Sequence, residues 1–156
     1  DFEYLVRACL ETGKTANARI LVGDFDAYVE KHPEDRERLQ RTAALWGDAL
    51  YNAGDYRGAL DAYAHAVPKQ HEPKENENTE DSATEEQAPL SRDAIWAKYQ
   101  RANAMLKLDD YSSSLAILDE LAASDTPYAE DARIKAEYAR LEQRMRGGPQ
   151  IVGQGG

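Results

Sequence analysis

The sequence has a single cysteine, Cys9, in 156 residues. Neither a disulfide framework nor a cysteine-based zinc site can form within one such chain. Valine and isoleucine are sparse, and no stretch alternates polar with apolar residues over strand length, which disfavours sheet. No apolar run approaches the roughly 18 residues of a spanning helix, so direct membrane insertion of this stretch is not expected. Positive charge is short: 19 Lys and Arg against 29 Asp and Glu leave a formal charge of −10. Nucleic-acid phosphates and anionic membrane surfaces would be repelled. No signal peptide and no initiator methionine are seen, so Asp1 reads as the start of a fragment of a longer or processed chain.

What is present is helix former in quantity, dominated by alanine and leucine. Phe2 to Glu11 is expected to be a helix with Leu5, Cys9 and Phe2 on its apolar stripe, stopped by Gly13. Ala16 to Lys31 follows, with Ile20, Leu21, Phe25, Tyr28 and Val29 at helical spacing, ended by His32-Pro33. A third helix is expected over Glu34 to Ala53, with Leu39, Ala43, Trp46, Ala49, Leu50 and Ala53 inward. Gly54 ends it, and Asp55 caps a fourth helix reaching Val67. Ser91 caps a fifth reaching Leu108, and Asp110 a sixth over Tyr111 to Ala123. Thr126-Pro127 opens a seventh, to about Arg146, whose Ile134, Tyr138, Leu141 and Met145 follow a 4-3-4 spacing and predict its buried face.

Between the fourth and fifth helices lies "KQHEPKENENTEDSATEEQAP", residues 69–89, with seven acids, two lysines and a net charge of −5. It has too little apolar surface to offset its ordering entropy, and reads as a mobile acidic insertion. Residues 1–146 then form one helical domain, and the Gly-rich residues 147–156 a flexible tail.

Two hairpins align without a gap: "WGDALYNAGDYRGALDAYAHAV" and "RANAMLKLDDYSSSLAILDELA". Gly47 matches Ala102, Tyr56 matches Tyr111, Ala59 matches Ser114 and Tyr63 matches Leu118. Their offset is 55 residues, and removing the 21 of the acidic insertion leaves 34. Packing explains these positions. A mid-helix glycine costs about 1 kcal/mol against alanine, so Gly47 is expected where something presses close. Ala59 and Ser114 are small where helix axes come within about 8–10 Å, with Tyr63 and Leu118 filling the space beyond. Gly54 supplies a left-handed cap conformation, and Asp109 takes that place in the later hairpin. "YLVRACLETGKTANARILVGDF" repeats the pattern more loosely, with Val6 at the small position and Ala18 matching Ala59.

The period of 34, the G-D-Y turn, Gly47 and the Ala59–Tyr63 pair resemble the tetratricopeptide repeat. Trp46 stands where that family places a leucine, and Ala43 lies near where it places an aromatic. The resemblance implies an all-α stack of about three helical hairpins plus a C-terminal capping helix, wound as a right-handed superhelix.

Several local patterns suggest chemistry and are outweighed. "GKT" at Gly13 to Thr15 lacks the glycine five residues earlier, where Ala8 stands, and the preceding strand of a phosphate loop. His71 with Glu72, Glu75 and Glu77 would be poorly preorganised for a metal. His32 reads as a helix terminus, His65 as part of a solvated face, and Cys9 as a small apolar residue. Asp24 and Asp26 lack the glycine and glutamate of a calcium loop and read as exposed helix residues. Trp46, Tyr56, Tyr63 and Tyr111 read as core. No spacing supports a catalytic carboxylate pair or nucleophile, so neither an enzyme nor a cofactor or metal is expected.

In tetratricopeptide domains the first helices of the hairpins line a concave groove that holds a partner segment. Carried onto this register, the resemblance implies a groove of Arg7, Leu10, Arg41, Ala44, Asp48, Tyr51, Trp96, Tyr99 and Asn103. Of the family's carboxylate-binding positions only Asn103 is matched, while Ala44 and Asp48 occupy others, so a terminal carboxylate is not the implied ligand. The expected function is a protein-interaction scaffold for a basic or amphipathic peptide or helix, with Tyr51, Trp96 and Tyr99 as anchors and Arg41 and Asp48 setting polarity. The alternative is a homo-oligomeric scaffold stacked through its terminal repeats. "AASDTPYAEDARIKAEYA" resembles the unit junctions of bacterial cell-envelope repeat proteins, which implies a periplasmic or membrane-tethered setting, with the cytoplasm as the alternative.

Overall fold

The turns set the architecture, because three of them share one backbone device. In a computed structural model describing residues 1–68 and 89–152, Gly13, Gly54 and Asp109 have φ of 74°, 83° and 60°. After each, the next amide donates back five residues: Lys14 to the Cys9 carbonyl at 2.8 Å, Asp55 to Leu50 at 2.9 Å and Asp110 to Met105 at 2.9 Å. This left-handed closure satisfies carbonyls that a helix end leaves unpaired. Asp55 and Asp110 then cap the following helices, accepting from the amides of Gly58 at 2.9 Å and Ser113 at 3.3 Å. Ser91 caps in the same way, accepting from Ala94 at 3.2 Å.

These punctuation marks delimit seven α-helices, and no strand, among the described residues. They are α1 (Phe2–Glu11), α2 (Thr15–Lys31), α3 (Arg36–Asn52), α4 (Tyr56–Ala64), α5 (Arg92–Lys107), α6 (Tyr111–Ala122) and α7 (Ala129–Val152). A short 3₁₀ turn, Pro33–Asp35, leads into α3. Helix α4 ends earlier than Val67, giving way to i→i−3 bonds at His65, Ala66 and Val67. The acidic insertion expected at 69–89 lies outside the described residues except for Pro89, as do residues 153–156 of the expected tail. Helix α7 runs beyond its expected end at Arg146.

Consecutive helices pack on one another, and α1 on α3 and α3 on α5 form a second set of contacts. One core cluster joins α1 to α4 around Val6, Val22, Phe25, Trp46 and Tyr63. A second joins α5, α6 and α7 around Tyr99, Leu118, Ala132 and Ala136. Close approach is visible at the positions where small residues were expected. A Cβ on Gly47 would fall 2.5 Å from the ring of fully buried Tyr63. Ser114, also fully buried, donates its hydroxyl to the Ala102 carbonyl at 2.9 Å. Buried Lys98 of α5 pairs with Glu120 of α6. No helix among the described residues is long and apolar enough to cross a membrane.

Four expected inward faces need correction. In α7, Ile134, Tyr138, Leu141 and Met145 are exposed, and Ala132, Ala136 and Ala139 are buried instead. Small side chains let α7 lie close to α6, which turns the large residues outward. In α1, Leu5 is exposed and Val6 fully buried. In α2, Ile20 and Tyr28 are exposed, while Ala18, Val22, Phe25 and Val29 form the inner stripe. In α3, Ala53 is exposed beyond the last helical turn. Tertiary contact chose between neighbouring apolar stripes that periodicity alone leaves equivalent.

Candidate functional site

The residues expected to line the groove sit on α1, α3 and α5, and several of them make contacts from one helix to the next. At one end, Arg41 of α3 grips Glu3 of α1 with both arms, Nε to Oε1 at 3.1 Å and Nη2 to Oε2 at 2.8 Å. Arg7 adds a contact to the same carboxylate at 3.3 Å. Planar guanidinium and carboxylate match in two parallel bonds, which fixes orientation as well as charge. The Arg41 hydrogen bond holds the Glu3 carboxyl below its ordinary pKa, against a smaller opposing effect of burial. Arg7 and Arg41 remain exposed, and Leu10 packs half-buried against the core. Ala44, one turn along α3, is buried.

At the centre stands Asp48. Its Oδ1 accepts from the Tyr63 hydroxyl at 2.5 Å and from the Trp96 indole nitrogen at 3.0 Å. One carboxylate thereby joins α3 to both α4 and α5. Burial first, and then the hydrogen bond to Asp48, push the Tyr63 phenol far above its ordinary pKa. Tyr51 is half-buried, with its ring edge-on to Tyr56 at 5.2 Å between centroids. Burial raises its phenol as well, with Tyr56 adding to the shift.

The third part joins α5 to α7. Tyr99 stacks on Tyr128 at 4.8 Å with the rings 12° apart, and Trp96 leans on both at 6.1 and 5.8 Å. Offset and tilted contacts of this kind favour rigid aromatic clusters. Lys135 of α7 lies 4.5 Å from the Tyr99 ring centroid. It donates to the Tyr99 hydroxyl at 2.5 Å and to Asn103 Oδ1 at 2.8 Å. Asn103 in turn donates to Gln100 at 2.8 Å. Tyr99 and Asn103 are buried under these partners, while Trp96 keeps a half-exposed face.

Glu3, Gln100, Tyr128 and Lys135 take part in these contacts and were not foreseen. Lys135 was missed because the large apolar stripe of α7 was assigned inward. The alanines at 132, 136 and 139 carried the correct signal, since Ala136 lies one period of 34 after Ala102, itself matched to Gly47. Tyr63 was expected in the core, and its hydroxyl reaching Asp48 was not.

Other candidates fall elsewhere. His65, expected on a solvated face, is half-buried, with Nδ1 2.7 Å from Asp26 Oδ2 and its ring 6.2 Å from that of Trp46. The return of α4 beside α2 creates that pairing. His32 stacks on Tyr28 at 4.1 Å, and Cys9 packs half-buried against the first core. His71 and its neighbouring glutamates lie outside the described residues. Two cavities, of about 210 and 430 Å³, are lined by residues of α2, α3 and α4, including His65 and Trp46 respectively, and by none of the expected groove residues.

The arrangement along α1, α3, α5 and α7 presents aromatic faces, a carboxylate shared between helices, and exposed guanidinium groups. Such groups are capable of stacking and hydrogen bonding. Comparison of the chain with protein-family models, curated proteins and solved structures returned no match.

Proposed function

We propose that the chain is a helical repeat scaffold of the tetratricopeptide kind, binding a partner peptide or helix along α1, α3, α5 and α7. The observation that carries this reading is the set of cross-helix contacts Glu3–Arg41, Asp48–Trp96 and Tyr99–Lys135. Asp48 holds Trp96 in place, while Arg41 is exposed and Tyr51 half-buried. The three matching left-handed turns and the Gly47–Tyr63 contact support the repeat part of the proposal. The partner is an amphipathic segment, its apolar side on the aromatics and basic residues on its polar side, in keeping with a chain charge of −10.

Fluorescence anisotropy with basic amphipathic, acidic amphipathic and scrambled peptides tests it. The basic amphipathic peptide should bind best, and Tyr51→Ala should weaken it roughly tenfold or more, as loss of an aromatic anchor does. Tyr51 is the informative position because its removal leaves the Asp48 contacts in place. Equal binding of all three peptides defeats the proposal.

A further inference from the structure

The large apolar residues left exposed among the described residues all lie in α1, α2 and α7. On α7 they form a single line: Ile134 is 60% exposed, Tyr138 51%, Leu141 46% and Met145 58%. Their 4-3-4 spacing is that of a coiled-coil seam. The opposite face of α7 is held to α6 and the turn before it, with Arg140 on Asp119 at 2.5 Å, Gln143 on Ser112 at 3.0 Å and Arg146 on Asp109 at 3.1 Å. The helix therefore cannot roll its apolar line inward without breaking those contacts.

Charges beside the line select the occupant. Glu137 and Arg144 flank it on one side, both exposed and neither ion-paired with another described residue. On the other side both charges are already engaged within the chain, Lys135 with Tyr99 and Asn103 and Glu142 with Arg146 at 3.4 Å. If two α7 helices meet antiparallel, Glu137 faces Arg144 of the second copy and Arg144 faces its Glu137. The midpoint of the apolar line falls between Ala139 and Arg140, and that of the Glu137–Arg144 pair between Arg140 and Leu141. One two-fold axis thus serves both the seam and the charges. A parallel pairing sets Glu137 against Glu142 of the second copy, like against like.

We infer that this chain forms a two-fold homodimer through the outer face of α7, with the two α7 helices antiparallel. Isologous contact closes on itself, so association stops at two copies. The peptide-binding proposal does not depend on it.

Analytical ultracentrifugation over a wide range of concentration tests the inference, with circular dichroism confirming the fold of each variant. The unaltered chain should move from monomer to dimer as concentration rises. Leu141→Glu, which places a charge in the seam, should leave monomer only. Glu137→Arg alone should weaken the dimer roughly tenfold, because two symmetry-related attractions become repulsions. Arg144→Glu alone should do the same, and the two together should restore the original affinity. A chain monomeric at every concentration overturns the inference, as does a dimer indifferent to Leu141→Glu. Growth beyond the dimer overturns it too, by pointing to head-to-tail contact between unlike ends. Failure of the double exchange to restore affinity rules out the antiparallel register.

Discussion

Replacing Gly47 by alanine should destabilise the protein, although helix propensity alone predicts the opposite. Propensity favours alanine by about 1 kcal/mol at a mid-helix position. The added methyl would lie 2.5 Å from Cδ1 and Cε1 of Tyr63 and 2.8 Å from its Cζ. That ring is fully buried and tied by its hydroxyl to Asp48, so it cannot swing away freely. Overpacking a filled site costs roughly 1–3 kcal/mol, here near the upper end, and partial loss of the hydroxyl bond adds up to about 1 kcal/mol. The net loss is about 2 kcal/mol, a fall in Tm of roughly 4–8 °C for a chain of this size.

The matching hairpin supplies the control. There Ala102 stands at the glycine's position and Leu118 at the tyrosine's, and both are fully buried. In a Tyr63→Leu background, Gly47→Ala should therefore become stabilising by about 0.5–1 kcal/mol, a coupling between the sites of about 2–3 kcal/mol. Chemical denaturation followed by circular dichroism measures all four proteins, with unchanged m-values required for the comparison. A higher Tm for Gly47→Ala in the otherwise unaltered chain refutes the reasoning. So does an identical effect in both backgrounds.

Three further outcomes follow from the same contacts. Trp46 is 3% exposed within the first core, so Trp46→Ala should cost about 3–5 kcal/mol in thermal unfolding, and a nearly unchanged melt contradicts this packing. The Tyr63 phenol is raised in the folded state, so its contribution to stability is complete below the unfolded tyrosine pKa of about 10 and declines as pH rises above it. Tyr63→Phe should flatten that alkaline decline, and equal slopes for the two proteins would discount the shift. Glu3 is lowered in the folded state, so its contribution is present above the unfolded value of about 4.3 and is lost as pH falls through the folded one. Arg41→Ala should raise the Glu3 midpoint in an NMR titration and cost no more than about 1 kcal/mol, since Arg41 is exposed; an unmoved midpoint contradicts the bidentate contact.

Much of the candidate site could be read from the repeat register, but not its connections. Asp48, Trp96, Tyr99 and Asn103 were placed together because equivalent positions on successive hairpins share a face. Nothing in the register said that Asp48 would bond both Tyr63 and Trp96, or that Lys135 would cover Tyr99. Those bonds span between 15 and 48 positions in sequence, and they depend on the offset between helices.

The sequence by itself determined the helices and their punctuation. Gly54, Asp55, Ser91 and Asp110 act through φ and through hydrogen bonds to amides within a few residues, so their consequences are local. It also determined where helices approach closely, because Gly47 and Ser114 are small whatever packs on them. Only the tertiary structure decided which face of each helix turned inward. In α7 the large residues and the alanines both satisfy helical periodicity, and the choice fell to close packing against α6. Val6 displaced Leu5 in the same way, and His65 found Asp26 only through the return of α4 beside α2. Rotation of a helix about its own axis is an interaction between helices, and no pattern within one helix contains it.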